Sequence, residues 1–133
     1  KIYITDSGVL HTLLNLRSMA DLEGHPKVGA SWEGFLLQQV IRRLQAFPEE
    51  CYFWATHGGA ELDLLVIRGS RRYGFEFKRT TSPRVTPSMR SALSDLKLNR
   101  LDVIHAGENT FPLSEKIRAV SWQRLLVDVQ PLK

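Results

Sequence analysis

Between Gly59 and Thr80 the chain alternates between apolar and polar residues in two runs, Glu-Leu-Asp-Leu-Leu-Val-Ile-Arg and Tyr-Gly-Phe-Glu-Phe-Lys-Arg-Thr. Period-two alternation rich in branched and aromatic residues predicts two strands. Gly69-Ser70 between them predicts a hairpin with glycine at the first central position of a type II′ turn. Strand side chains alternate faces, so Glu61, Asp63, Leu65 and Ile67 are expected on one face of the first strand. Gly74, Glu76, Lys78 and Thr80 share a face of the second, and Phe75 and Phe77 share the other. A two-residue turn sets Asp63 opposite Glu76 and Glu61 opposite Lys78.

The rest of the chain supplies elements to cover this hairpin. Lys1–Thr5 alternates like a short strand, and Asp6 and Ser7 can cap a short helix to about Leu16. Residues 17 to 28 lack a period and read as a loop. Gly29–Ala46 has the strongest helical pattern. Leu36, Leu37, Val40 and Leu44 form its apolar face, flanked by Trp32 and Ile41; Gln38, Arg42 and Gln45 take the other side, and Pro48 stops it. Cys51–His57 reads as a strand ending at Gly58-Gly59. After the hairpin come a loop over Thr81–Pro87, a helix over Pro87–Leu98 and a strand over Leu101–His105. A loop runs on through Pro112; Ile117–Val120 predicts a last strand, and Ser121 caps a short helix to Leu126. The order helix, three antiparallel strands, helix, strand defines an α/β fold: an α+β mixed sheet with helices on its faces.

Charge changes this picture where it falls on positions the pattern assigns to the interior. Asp63 and Glu76 face one another across the hairpin, where like charges repel and a cation between them reverses the sign. Glu33 projects from the apolar face of the first long helix, a costly position for an unpaired carboxylate. Lys78, two residues beyond Glu76 on the same face, adds an ammonium that suits an anion or a nucleophilic water.

Composition narrows the alternatives. A chain of 133 residues with 43% apolar and 24% charged content suits one soluble globular domain with a real core. The net charge of +4 permits a polyanionic partner without requiring one. Cys51 is the only cysteine, so no internal disulfide and no cysteine-based zinc site can form, and a reducing cytoplasm is the expected location. No apolar run reaches the roughly 20 residues needed to span a bilayer. The chain begins at Lys1, already in a strand pattern, so a fragment of a longer protein is expected. Four histidines show no metal-ligand spacing, no P-loop motif occurs, and Trp32, Trp54 and Trp122 are expected in the core.

Glu33 on a helix, Asp63 in the second strand and Glu76-Phe77-Lys78 in the third resemble the PD-(D/E)xK nuclease-like superfamily over residues 29 to 107. More narrowly, the chain resembles an uncharacterised nuclease-like domain found C-terminal to an AAA-type P-loop ATPase module. Lys-Ile-Tyr-Ile-Thr-Asp-Ser-Gly, Gly-Ala-Ser-Trp-Glu-Gly-Phe, Tyr-Phe-Trp-Ala-Thr, Gly-Ala-Glu-Leu-Asp-Leu-Leu-Val and Phe-Glu-Phe-Lys carry that likeness. The resemblance implies a restriction-endonuclease-like core in a single domain over residues 1–133, attached to an ATPase through which it can oligomerise. It implies Mg²⁺ or Mn²⁺ bound by Asp63, Glu76 and the Phe77 carbonyl, with Glu33, Asp63, Glu76 and Lys78 catalytic in phosphodiester hydrolysis of DNA. Arg71, Arg72, Arg79 and Arg84 are expected near the site as phosphate contacts. The alternative is a catalytically inactive module of the same fold that binds nucleic acid or protein for the ATPase. Leu62 stands where the superfamily often has proline, and Glu61 adds an acid within reach of Lys78.

Overall fold

A computed structural model of the chain describes the strand Ile2–Ile4 and residues 31–133. The short helix expected to reach Leu16 and the loop over residues 17 to 28 lie outside the described residues. Among the described residues seven strands form one mixed sheet: β1 (Ile2–Ile4), β2 (Cys51–Ala55), β3 (Glu61–Arg68), β4 (Arg71–Lys78), β5 (Arg100–His105), β6 (Phe111–Pro112) and β7 (Ile117–Ser121). Their spatial order is β1-β2-β3-β4-β5-β7-β6. Three α-helices accompany them among the described residues: α1 (Ser31–Leu44), α2 (Pro87–Asp95) and α3 (Leu125–Asp128). Strands β1 to β4 pair antiparallel, and β4, β5 and β7 run parallel. The parallel step from β4 to β5 is carried by α2, as a crossover requires.

The sheet is buried on both faces. Against one lie Leu36, Leu37, Val40, Ile41 and Leu44 of α1, packed with Leu64, Val66, Phe75, Phe77, Ile104 and Val120. Against the other lie Met89 and Ala92 of α2 and its cap residue Leu96, packed with Trp54, Leu62, Leu65, Leu101 and Val103. Both long helices end in the same way. Gln45 takes φ 58° and Lys97 φ 52°. The next amides, of Ala46 and Leu98, reach back to the carbonyls of Ile41 and Leu93. The helices are thus closed by left-handed caps that satisfy orphan carbonyls, and α1 has already ended before Pro48.

The hairpin has the expected register, with Arg68 opposite Arg71 and Leu64 opposite Phe75. Gly69 supplies the positive φ of 60° that a type II′ turn places first. The face assignment in β3 needs correction. Tyr52 pairs with Leu65 but Trp54 pairs with Leu62, so β3 carries one extra residue opposite β2. This bulge puts Leu62 and Leu65 in the same apolar layer while Leu64 and Val66 enter the other. Strict alternation from Glu61 to Ile67 therefore fails at Asp63.

Two further expectations are corrected. Gln38 is buried, 2% exposed, although its helical position suits the polar side. Trp122 is 39% exposed and belongs to neither apolar layer. Trp54 is fully buried, and Trp32 packs partly buried against the α1 layer.

Candidate functional site

Regular pairing between β3 and β4 stops at Leu64 and Phe75, and beyond it the side chains of the next residues take over from the ladder. The Asp63 amide donates to Glu76 Oε1 at 3.0 Å. The Phe77 amide donates to Asp63 Oδ2 at 2.9 Å. Each carboxyl group thus bonds the opposite strand's main chain and keeps its second oxygen for another partner. The bulge in β3 permits this, because bulges re-aim a side chain and interrupt pairing. The fork opens at the carboxyl end of β4, the end of parallel strands where α/β sheets place ligands.

A cleft of about 240 Å³ fills the fork. Glu33 of α1, Glu61 and Asp63 of β3, and Glu76, Phe77 and Lys78 of β4 line it. Arg79, Gly59, Thr86 and Ser88 complete the wall. All four residues expected to be catalytic, Glu33, Asp63, Glu76 and Lys78, therefore meet at one cavity. Phe77 sends its ring into the α1 layer, so it presents only main chain to the cleft. Lys78 Nζ lies 3.8 Å from Glu76 Oε2.

Burial is the main electrostatic influence on the pair. Glu76, 7% exposed, has its carboxyl group pushed up to about 8, first by burial and then by the charge of Asp63. The Asp63 amide and Lys78 oppose that rise. Asp63 is also raised, by burial first, with the Phe77 amide working against it and the charge of Glu33 adding to it. Two carboxyl groups this close share a preference for holding a proton until a cation replaces it. Among the described residues no group of three or more His, Cys, Asp or Glu side chains converges as a metal-ligand set. The hard donors are the two carboxyl groups and adjacent main chain.

The four arginines do not gather as expected. Arg79 lines the cleft. Arg84 is exposed in the loop before α2 and is not part of the wall. Arg71 and Arg72 start β4 at its other end, roughly 20 Å along the strand from Lys78. Arg72 is engaged there: its Nη1 donates to the Leu96 carbonyl at 3.1 Å.

Two wall residues escaped the sequence reading. Thr86 caps α2 by accepting from the Met89 amide, at 3.2 Å. Ser88 Oγ accepts from the Glu61 amide at 2.7 Å and donates to the Glu61 carbonyl at 3.0 Å, fastening α2 to the start of β3. The available signal was Thr-Pro-Ser, a cap followed by proline at the first helical position. Of the remaining groups, His105 is buried and bonded to the Asn109 carbonyl at 2.8 Å and the Gly107 amide at 3.0 Å. Cys51 is buried, with its thiol pushed up to about 12 by burial, and so is chemically quiet.

Fold and cleft together define a mixed α/β domain with a carboxylate pair at the fork of its central hairpin. The chain belongs to the family described as "Domain of unknown function (DUF4143)", which it matches over residues 28–125. It is 50% identical over 126 residues to uncharacterised proteins of Mycobacterium bovis and Mycobacterium tuberculosis. Each match covers 95% of this chain but 28% of the relative, so the chain spans little more than a quarter of their length. No solved structure matches it. Among the described residues no helix is long and apolar enough to cross a membrane.

Proposed function

We propose that the cleft is a divalent-cation-dependent site for hydrolysing phosphodiester bonds in DNA, on a restriction-endonuclease-like core carried within a longer ATPase protein. The crosswise bonding of Asp63 and Glu76 carries the reading. It orients the buried Glu76 and half-buried Asp63 carboxyl groups into one cavity, with the second oxygen of Glu76 turned toward Lys78 at 3.8 Å. The donor set fits Mg²⁺ or Mn²⁺, hard cations that accept one or two carboxylates and retain several waters. Such an ion, when bound, polarises the phosphodiester and lowers the pKa of a water. The chain's own groups have separate parts. Asp63 and Glu76 would hold the cation, with the Phe77 main chain beside them. Lys78 stands where it can orient a water and stabilise charge on phosphoryl oxygens. Glu33 lines the same cavity and adds negative charge beside Asp63.

Calorimetric titration with Mn²⁺, with and without DNA, tests the reading. Binding by the wild type that is lost in Asp63→Ala is expected, followed by metal-dependent cleavage that Lys78→Ala lowers by at least about 100-fold. Absence of binding in both titrations would favour the second reading, a non-catalytic nucleic-acid or protein-binding module. That reading draws on the same hydrogen bonds, since the two amides let the fork hold together without a cation.

A further inference from the structure

The central hairpin is electrically polarised. Its cleft end gathers Glu33, Glu61, Asp63 and Glu76 against Lys78 and Arg79. At the opposite end a basic residue stands at or just before the start of each of the three parallel strands. Arg71-Arg72 opens β4, Arg100 opens β5, and Lys116 immediately precedes β7. Lys97 joins them from the cap of α2, held close by the Asn99 amide on the Arg72 carbonyl at 2.8 Å. Adjacent strands are about 4.8 Å apart, so these strand starts lie across roughly 10 Å of sheet.

The local acids offset this end only in part, although the exposed Asp95 and Glu115 stand beside Lys97 and Lys116. Glu50 is taken by Arg68, at 2.7 Å, on the β2 side. Asp102 is taken by Arg100 and Arg118. Arg71, Lys97 and Lys116 are exposed, and among the described residues none of the three makes an ion pair. Arg68 and Arg71 even face each other in the last pair of the hairpin, where like charges destabilise. The aromatic rings here are covered by guanidinium groups, Tyr73 by Arg100 at 5.4 Å and the exposed Phe47 by Arg68 at 5.7 Å, which leaves one large apolar side chain beside the cations. A membrane surface, which rewards apolar insertion, is therefore a poorer fit than a phosphate backbone.

We infer that this basic end, formed by Arg71, Arg72, Lys97, Arg100 and Lys116, is a second nucleic-acid contact surface, separate from the cleft and independent of divalent cation. The choice of nucleic acid as the polyanion rests on the proposed function. A cleft with four carboxyl groups and two cations cannot supply attraction for a polyanion before a metal enters. The basic end supplies it, some 20 Å away along β4, less than one turn of duplex.

The test is fluorescence anisotropy of the full chain with a labelled duplex of about 20 base pairs in EDTA, from about 50 to 200 mM salt. The variant is Arg71→Gln/Lys97→Asn/Lys116→Gln; asparagine at 97 tolerates the left-handed backbone, and a circular-dichroism melt checks the fold. Wild type is expected to bind, with the variant about tenfold weaker or more and its log–log salt slope shallower by about two to three. Arg124→Gln, which removes an exposed cation just past the end of β7 and outside both surfaces, is expected to bind within about twofold of wild type. Equal affinity and slope for the triple variant would overturn the inference. So would the absence of duplex binding by wild type at the lowest salt, or capture by phosphatidylserine vesicles in its place. Because EDTA removes the cation, failure here is distinct from failure of the proposed hydrolysis, which calorimetry reports.

Discussion

Glu76 concentrates the cost and the chemistry of the site in one residue. Its carboxyl group sits under a 7% exposed surface and titrates near 8 in the fold against an ordinary value of 4.5. The sign of the consequence follows from proton counting. Below pH 4.5 both folded and unfolded chains hold the proton, and stability is unaffected. Between 4.5 and 8 the unfolded chain releases a proton that the fold retains, so stability falls as pH rises. Asp63 is shifted in the same direction and adds to the fall. Each pKa unit of separation corresponds to about 1.4 kcal/mol. Urea midpoints of the metal-free protein at pH 5, 6.5 and 8 are therefore expected to decline, and Glu76→Gln to flatten the decline. The glutamine keeps a carbonyl for the Asp63 amide and removes the ionisation. A variant that declines as steeply as wild type would place the proton on another group.

At the scale of elements, the cleft depends on how β3 and α2 are anchored. The cap from Thr86 closes the first turn of α2, and that turn carries Ser88, which grips both main-chain groups of Glu61. Thr86→Ala is expected to cost about 1 kcal/mol in denaturant unfolding. It is also expected to speed hydrogen exchange at the Met89 amide, which loses its acceptor; unchanged exchange there would mean that the turn is held by packing. The hairpin, its register and both long helices were legible in the sequence, because alternation, an apolar stripe and Gly69 are local signals. The bulge was not. Leu62-Asp63-Leu64-Leu65 breaks alternation, yet a strand buried on both faces gives a similar apolar run, and only the pairing with Tyr52 and Trp54 reveals the extra residue. The four groups Glu33, Asp63, Glu76 and Lys78 were readable as a set because three sit on one hairpin. Ser88 was not, since its partner, Glu61, is 27 positions away. Arg71 and Arg72 lie far from the site because the eight residues of β4 separate the start of the strand from its cleft end.

At the scale of the whole molecule, one ion pair joins the sheet to its final segment. Asp102 is fully buried in β5, with Arg118 Nε 2.9 Å from Oδ1 and Nη2 3.0 Å from Oδ2. The same Nη2 donates to the Asp128 carbonyl at 2.8 Å, so one guanidinium connects β5, β7 and α3. Beyond α3 the chain crosses to α1, where Arg43 Nε donates to the Val129 carbonyl at 2.7 Å and the Leu132 amide donates to the Leu44 carbonyl at 3.0 Å. The segment thus closes the α1 layer from outside. An aspartate in an apolar strand signals a partner, but not one 16 positions further on in a parallel neighbour. Asp102 is buried while its partners Arg118 and Arg100 keep 28% and 37% of their side chains exposed, so Asp102→Ala is expected to cost about 3 kcal/mol, the low end for a buried pair and more than an exposed one is worth. For a domain of this size that lowers the melting temperature by roughly 10 °C or more. Cation binding measured well below the new melting temperature should match wild type, because Asp102 lies outside the wall of the cleft. A cost under about 1 kcal/mol would mean that Arg118 swings to solvent when freed, and that packing of Leu125 and Val129 alone holds the segment in place.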